Sequence, residues 1–405
     1  MSEDHGKIVL LEGIHPVAED SLSTTGLSIE RVDGAIGPDQ LADLLKGASM
    51  LGIRSRTQLD RNILARATDL CAIGCFCIGT NQVDLQAAAE RGVAVFNAPF
   101  SNTRSVAELT MAEIIMLMRR IPQRSMDMHA GRWHKSVTGA REVRGRTLGI
   151  VGYGHIGSQL SILAEGMGMR VIYHDIIEKL PLGNATCMKD LDSLLSEADV
   201  VSLHVPATPM TTGLLGSSQL QSMKEGAFLI NNARGNVVDV DALTEALQSG
   251  RLAGAAIDVF PSEPKSGTAE FISPLRGCEN VLLTPHIGGS TLEAQSAIAR
   301  EVGNKLTRYL REGATGTSVN LPGVDLPPRK ENQQRILHFH RNVPGVLGRM
   351  HSSLAELGVN INAEYLQSQG DLSYVILDVD PIEPHILHEE LKRIPETIRF
   401  RTISD

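Results

Sequence analysis

Gly149-Ile150-Val151-Gly152-Tyr153-Gly154-His155-Ile156-Gly157 decides the architecture of this 405-residue chain. The glycines at 152, 154 and 157 have G-x-G-x-x-G spacing; an apolar run precedes them and a helix-like pattern follows. Gly152 permits the tight turn out of a strand, Gly154 lets backbone approach a pyrophosphate, and Gly157 lets the helix pack closely on the strand. His155 and Ile156 open the helix, whose first N–H groups and dipole favour a phosphate. Eighteen residues past Gly157, Tyr173-His174-Asp175 closes the next strand pattern. An acid there bonds adenosine ribose hydroxyls and repels a 2′-phosphate, and Ile176-Ile177 follow rather than arginine, so NAD is expected over NADP.

Working outward, strands alternate with helices. Strand patterns cover 148–151, 170–174, 200–205, 227–231, 254–258 and 281–284, and a first series covers 7–12, 28–32, 50–53, 71–74 and 93–96. Such alternation predicts parallel α/β sheets. Residues 105–120 form a long apolar helix pattern ending in Arg119-Arg120, where the helix dipole favours cations. Residues 121–145 are polar and irregular and hold Trp133, the single tryptophan, a candidate subunit contact. A long helix pattern covers 290–310, and 313–332, with Pro322 and Pro327-Pro328, has the composition of a linker. After it the order is βαββαβ, with strands at 335–340, 359–367, 372–379 and 397–402, a ferredoxin-like pattern. The expected fold is α/β: two doubly wound, Rossmann-like parallel sheets and a small ferredoxin-like domain.

Composition narrows the function. Lys+Arg 38 against Asp+Glu 47 gives a net charge of −9, and aromatics are only 3%. A nucleic-acid binder wants basic stripes and stacking rings, so none is expected as partner. No apolar run reaches the roughly 18 residues a membrane helix needs, and the N-terminus lacks a signal-peptide pattern; a cytoplasmic protein is expected. The five cysteines are expected to be reduced. Cys75-Phe76-Cys77-Ile78 alternates as a buried strand does, and no metal site is expected.

Three charged residues follow strand patterns: Arg234 in Asn231-Asn232-Ala233-Arg234-Gly235, Glu263 in Asp258-Val259-Phe260-Pro261-Ser262-Glu263, and His286 in Thr284-Pro285-His286-Ile287-Gly288-Gly289. Strand carboxyl ends line the ligand crevice of such sheets. An arginine there can hold a carboxylate through two hydrogen bonds. A histidine can exchange the proton that accompanies hydride transfer, and a nearby glutamate would orient it and raise its pKa.

With Met223-Lys224-Glu225-Gly226-Ala227 added, these motifs resemble those of the D-isomer-specific 2-hydroxyacid dehydrogenases, over essentially the whole chain. The resemblance implies that Arg234 anchors the substrate carboxylate and carbonyl, that Glu263 pairs with His286, and that His286 is the acid/base. It implies that Asp258 meets the nicotinamide carboxamide and that Asn232, Ala233, Arg234, His286, Ile287, Gly288 and Gly289 line the cofactor. Arg54-Ser55-Arg56-Thr57 and Ser101-Asn102-Thr103-Arg104 resemble segments of the members that oxidise 3-phosphoglycerate, which makes Arg54, Arg56 and Asn102 candidates for substrate binding, the arginines for its phosphate. It also implies a discontinuous substrate domain, 1–101 with 288–312, a cofactor domain at 102–287, a linker at 313–332, and a homodimer or homotetramer. Residues 333–405 resemble an ACT domain. In serine-inhibited relatives two such domains pair edge to edge and bind serine between them; His340, Asn342 and Asn360 occupy the matching positions. Those relatives carry a Gly-Gly hinge before this domain, whereas here Pro327-Pro328 stiffen the chain. The alternatives are a dehydrogenase of another 2-hydroxyacid, such as 2-hydroxyglutarate, and an NAD-sensing corepressor on the same fold.

Overall fold

The computed structural model describes residues 6–264 and 269–404. They separate into two compact units: Asn102–Ala294, and the residues up to Ser101 together with those from Gln295 onward.

The contiguous unit is built on a seven-stranded sheet in the order Val281–Leu283, Leu252–Ile257, Ala227–Asn231, Val200–Leu203, Thr147–Val151, Arg170–His174, Thr186–Cys187. Every pairing is parallel. Its strands read as continuous apolar runs because both faces are covered. In Ala227–Asn231, Ala227 and Leu229 face one buried cluster while Phe228 and Ile230 face the other. The fingerprint strand Thr147–Val151 lies beside Val200–Leu203, where the strand order reverses. The crevice of a doubly wound sheet opens at that point.

The polar segment after Arg119, expected to be irregular, begins with a helix, Ile121–His129. Arg120 takes a left-handed turn at φ 53°, and Pro122 sits in the first helical turn, where its missing N–H costs nothing. Trp133 follows it and is exposed.

The other unit has a five-stranded parallel sheet ordered Ser28–Val32, Lys7–Leu11, Ala48–Ile53, Ala72–Cys75, Ala94–Asn97. Cys71 and Cys75 are buried on it, and burial pushes the Cys75 and Cys77 thiols up. A second, four-stranded antiparallel sheet is ordered Ile361–Gln369, Leu372–Val379, Gln334–Arg341, Thr397–Ile403, with helices Val346–Glu356 and Pro384–Lys392 giving βαββαβ along the chain.

The antiparallel sheet shares a core with the parallel one. Leu337, Phe339, Tyr374 and Ile376 bury against Val302, Leu306, Tyr309 and Phe96. Phe339 and Tyr374 stack with ring centroids 4.0 Å apart. Its polar side chains close the C-terminus of helix Leu292–Glu312, whose last carbonyls have no partner inside the helix. Arg401 donates to the carbonyls of Tyr309 and Leu310, Arg335 to that of Glu312, and the Tyr374 hydroxyl to that of Gly313. Arg335 is itself buried, gripping both Asp378 oxygens at 2.6 and 2.8 Å and the Pro327 carbonyl at 2.8 Å.

Residues 313–332, expected as a linker, are therefore not a free tether. Thr315, Leu321 and Val324 are buried, and Val319 donates to the Val95 carbonyl. The prolines stiffen a segment whose backbone and apolar side chains are already docked.

Candidate active site

The fingerprint loop has the shape its glycines require. Gly152 has φ +92°, and a Cβ there would meet the His204 carbonyl oxygen at 2.8 Å. A Cβ on Gly157 would lie 2.3 Å from the Gly152 oxygen, so the helix sits directly on the loop. At Gly154 nothing lies within 4 Å of that position, which leaves the backbone approachable. Helix His155–Gly166 starts here with no side-chain cap from Gly154, so its positive end faces whatever anion approaches. Asp175 accepts from the Tyr153 N–H at 2.8 Å and the Ile177 N–H at 2.9 Å. A carboxylate has about four lone-pair sites, so capacity remains for ribose hydroxyls. The loop, the helix end and the acid together fit a dinucleotide.

Two further loops leave Ala227–Asn231 and Val281–Leu283, the strands on either side of Leu252–Ile257. After Ala227–Asn231, buried Asn231 accepts from the Ala233 N–H at 3.1 Å and donates to the Arg234 carbonyl at 3.1 Å, so it shapes the turn that carries Arg234. A Cβ on Gly235 would meet the Phe260 and Pro261 backbone at 2.0–2.5 Å, which presses this turn against the segment leading to Glu263.

The other loop carries His286, in a left-handed conformation at φ 55°. A non-glycine residue holds that conformation only when its surroundings impose it. Asp258 does so. Its carboxylate, 1% exposed, accepts from the Thr284 hydroxyl at 2.6 Å and the N–H groups of Ile287 and Gly288 at 2.8 Å each. The backbone flanking the histidine is thus clamped on both sides.

His286 Nδ1 lies 3.0 and 2.9 Å from the two Glu263 carboxylate oxygens. The hydrogen bond to Glu263 raises the His286 pKa, against burial and the Arg234 charge. Burial pushes Glu263 upward, but the His286 hydrogen bond and charge win and its pKa falls. With Nδ1–H committed to the carboxylate, the neutral imidazole carries its lone pair on Nε2, the tautomer a general base needs. Arg234, Glu263 and His286 are therefore brought together, with Asp258 behind them.

As a base His286 acts only in its neutral form, so any proton abstraction it performs climbs in rate as pH rises through its elevated pKa. Glu263→Gln removes the charge that raises it. The acid limb of that rate profile then moves to lower pH, and the plateau falls about tenfold or more because the ring loses its orienting partner. Initial rates from pH 5.5 to 9 check this; an unmoved limb contradicts it.

Under both loops runs one stripe of helix Thr103–Met118. Asn102 caps it beside Gly289, Val106 touches Gly288, and Thr110 and Glu113 meet Asn232. Asn231 and Glu113 are functional neighbours that sequence reasoning did not single out. A glutamate within the apolar stripe of a buried helix was the available signal for the second. Asn102 is buried, and it lies in the contiguous unit, while Arg54 and Arg56 lie in the other. There the arginine loop is held by its backbone. Glu12 accepts from the Arg56 and Thr57 N–H groups at 3.0 and 2.8 Å, and Gln82 donates to the Arg54 carbonyl at 2.8 Å.

His340 is buried, with Nδ1 3.2 Å from that of His338, and burial lowers the pKa of both. Asn342 donates to the Gly370 carbonyl, and Asn360 to the Asn362 side chain. One chain does not bring these asparagines together. Arg341 pairs with Leu372 and Ile361 with Val379, so Asn342 and Asn360 flank opposite ends of an eight-residue strand, about 24 Å apart.

Residues 111–288 match the family model described as the D-isomer specific 2-hydroxyacid dehydrogenase, NAD binding domain. The chain is 52% identical over 398 residues to the D-3-phosphoglycerate dehydrogenase of Haemophilus influenzae, covering 98% of this chain and 97% of that protein. The chain belongs to the D-isomer-specific 2-hydroxyacid dehydrogenases. The enzyme of that name from Escherichia coli K12 is 50% identical over 406 residues, all of this chain and 98% of its own. Among solved family structures, the Aquifex aeolicus D-lactate dehydrogenase complexed with NAD and lactic acid superposes with a TM-score of 0.67 at 26% identity, covering 78% of this chain and all of that one. As in the family, the cofactor is NAD.

Proposed function

We infer that this chain is the NAD-dependent dehydrogenase that oxidises D-3-phosphoglycerate to 3-phosphohydroxypyruvate, the first step of L-serine biosynthesis. The observation that carries this is identity of about one half with proteins named for that activity, spread over the full chain. Arg234 pairs with the substrate carboxylate through its fork of donors. His286 Nε2 takes the hydroxyl proton in oxidation and returns it in reduction. Glu263 holds the ring and stabilises its cationic form. NAD, when bound, supplies the acceptor for the hydride leaving C2. Gly152, Gly154 and Gly157 with the helix end would hold its pyrophosphate, and Asp175 its ribose.

Arg54 and Arg56 take the substrate phosphate. Neither is in an ion pair among the described residues, and their loop is braced by Glu12 and Gln82. Arg54→Ala/Arg56→Ala should raise KM for phosphoglycerate about tenfold or more while leaving NAD affinity within about twofold. Equal losses for both ligands would contradict the phosphate role.

The C-terminal sheet is read as an ACT module that binds L-serine. The βαββαβ order and the strand order support it, and so does the separation of Asn342 from Asn360. A second copy, paired edge to edge and antiparallel, would set His340 and Asn342 of one chain against Asn360 of the other. The functional form is then a dimer or tetramer, and the expected setting is cytoplasmic. Among the described residues no helix is long and apolar enough to cross a membrane. NADH formation across 3-phosphoglycerate, 2-hydroxyglutarate and lactate, with and without L-serine, tests the whole reading. Turnover of phosphoglycerate is expected to dominate and serine to suppress it. Inert phosphoglycerate and phosphohydroxypyruvate would overturn the substrate, and unaltered rates with no serine binding would remove the effector.

A further inference from the structure

We propose that Glu113 is a positioning residue that holds the Asn232 amide and places a proton-dependent charge beneath the cofactor site, so that preference for oxidised over reduced NAD grows as Glu113 ionises. The proposal rests on the placing of NAD by Asn232 and Asp258.

Glu113 is 1% exposed on helix Thr103–Met118. Its Oε2 accepts from Asn232 Nδ2 at 2.7 Å, and the same Nδ2 donates to Thr110 Oγ1 at 3.0 Å. The Thr110 hydroxyl gives its proton to the Val106 carbonyl at 2.8 Å. Its oxygen can then only accept, which fixes the Asn232 amide with nitrogen toward the helix and Oδ1 turned away. Oε2 is likewise an acceptor, so any proton on Glu113 resides on Oε1. That oxygen is buried with no partner, as is Asn232 Oδ1. A carboxylate here keeps a single strong hydrogen bond.

Burial raises its pKa to about 7, the Asn232 bond opposing and the Asp258 charge adding. The elements packed against this helix also carry charge. Asp258 follows Leu252–Ile257, Arg234 follows Ala227–Asn231, and His286 follows Val281–Leu283. Helix His155–Gly166 carries His155, and Glu165, whose carboxylate accepts from the Asn184 N–H, and helix Ile121–His129 carries Arg124, Asp127 and His129. On its own helix, Arg104 and Glu108 are exposed and paired with each other. Asp258 is the one whose charge acts on Glu113. The Glu113 and Asp258 charges thus repel each other under the loops of Arg234 and His286.

The oxidised nicotinamide ring is a cation and the reduced ring is neutral. A buried anion is weakly screened and discriminates between them. Ionised Glu113 favours the cation, so NAD binding expels the Glu113 proton near neutral pH. His286 losing its proton acts in the same sense, so the two contributions are separated by substitution.

The test uses the full-length protein and direct binding. The ratio of NADH to NAD dissociation constants is measured at pH 6 and 8 for the unaltered protein, Glu113→Gln, and Glu113→Gln/His286→Asn. The ratio should rise about fivefold or more with pH in the unaltered protein. It should rise less in Glu113→Gln, keeping only the His286 part, and stay flat in the double variant. Carbon-13 carboxyl titration of the unaltered protein should show one glutamate ionising near neutrality, and NAD should shift it to lower pH. An identical pH dependence in the unaltered protein and Glu113→Gln overturns the proposal, as does a Glu113 carboxyl that NAD does not shift. Failure of the unaltered protein to bind NAD at any pH would overturn both the proposal and the NAD-site reading beneath it.

Discussion

His286→Asn should lower kcat for both oxidation and reduction by about 10²–10⁴, with NAD affinity roughly unchanged. Asparagine can still reach toward Glu263 and preserve the loop, because Asp258 clamps the backbone through Thr284, Ile287 and Gly288 rather than through the histidine ring. What disappears is the Nε2 base and, with it, the limb of the pH profile that His286 sets. Pre-steady-state hydride transfer, read at the absorbance of NADH, is the direct measurement. A kcat within about fivefold of the unaltered protein would remove His286 from the chemistry. Glu263→Gln acts through the same ring but shifts the limb rather than abolishing it, so the two profiles distinguish base from orienting partner.

The second large effect concerns stability. Arg335→Ala should destabilise the unit that holds the five-stranded sheet by about 3–5 kcal/mol, roughly a 10 °C fall in its melting temperature. The buried guanidinium satisfies Asp378 with two bonds and closes the carbonyls of Glu312 and Pro327. Its removal leaves an uncompensated buried carboxylate and two bare acceptors. Arg335→Met/Asp378→Leu removes both charges together and should recover most of the loss. Calorimetry of the two variants decides it. If the single and double variants melt alike, the pair is not the source of the stability.

Local constraints explain what could be read in advance. Gly152, Gly154 and Gly157 each answer to a clash or an approach within a few residues, so their spacing alone announces the loop. Arg234, Glu263 and His286 each follow an apolar strand, and parallel topology sends those ends to one edge. Asp258 as a clamp and Glu113 were harder, since their roles lie in contacts made across the fold, whereas Asn231 acts locally, through Ala233 and Arg234. The Glu113–Asn232 bond spans 119 positions. Helix Ile121–His129 was missed because its sequence is polar, although Pro122 suits a first helical turn. The docking of 313–332 depends on Val95 and other distant residues, which proline content does not reveal.

The shared core of the two sheets in the split unit has a consequence for how the protein is made. The contiguous unit, Asn102–Ala294, can collapse as soon as it leaves the ribosome. The other unit is assembled from the first and last parts of the chain. Its opening strands emerge early, yet Phe96 waits for Val302, Leu306 and Tyr309, and helix Leu292–Glu312 waits for Arg335, Tyr374 and Arg401. During translation the N-terminal sheet is therefore exposed, a target for chaperones and for aggregation, until the final strand is synthesised. A chain stopped before residue 334 should fold its nucleotide-binding unit and leave its first hundred residues unfinished.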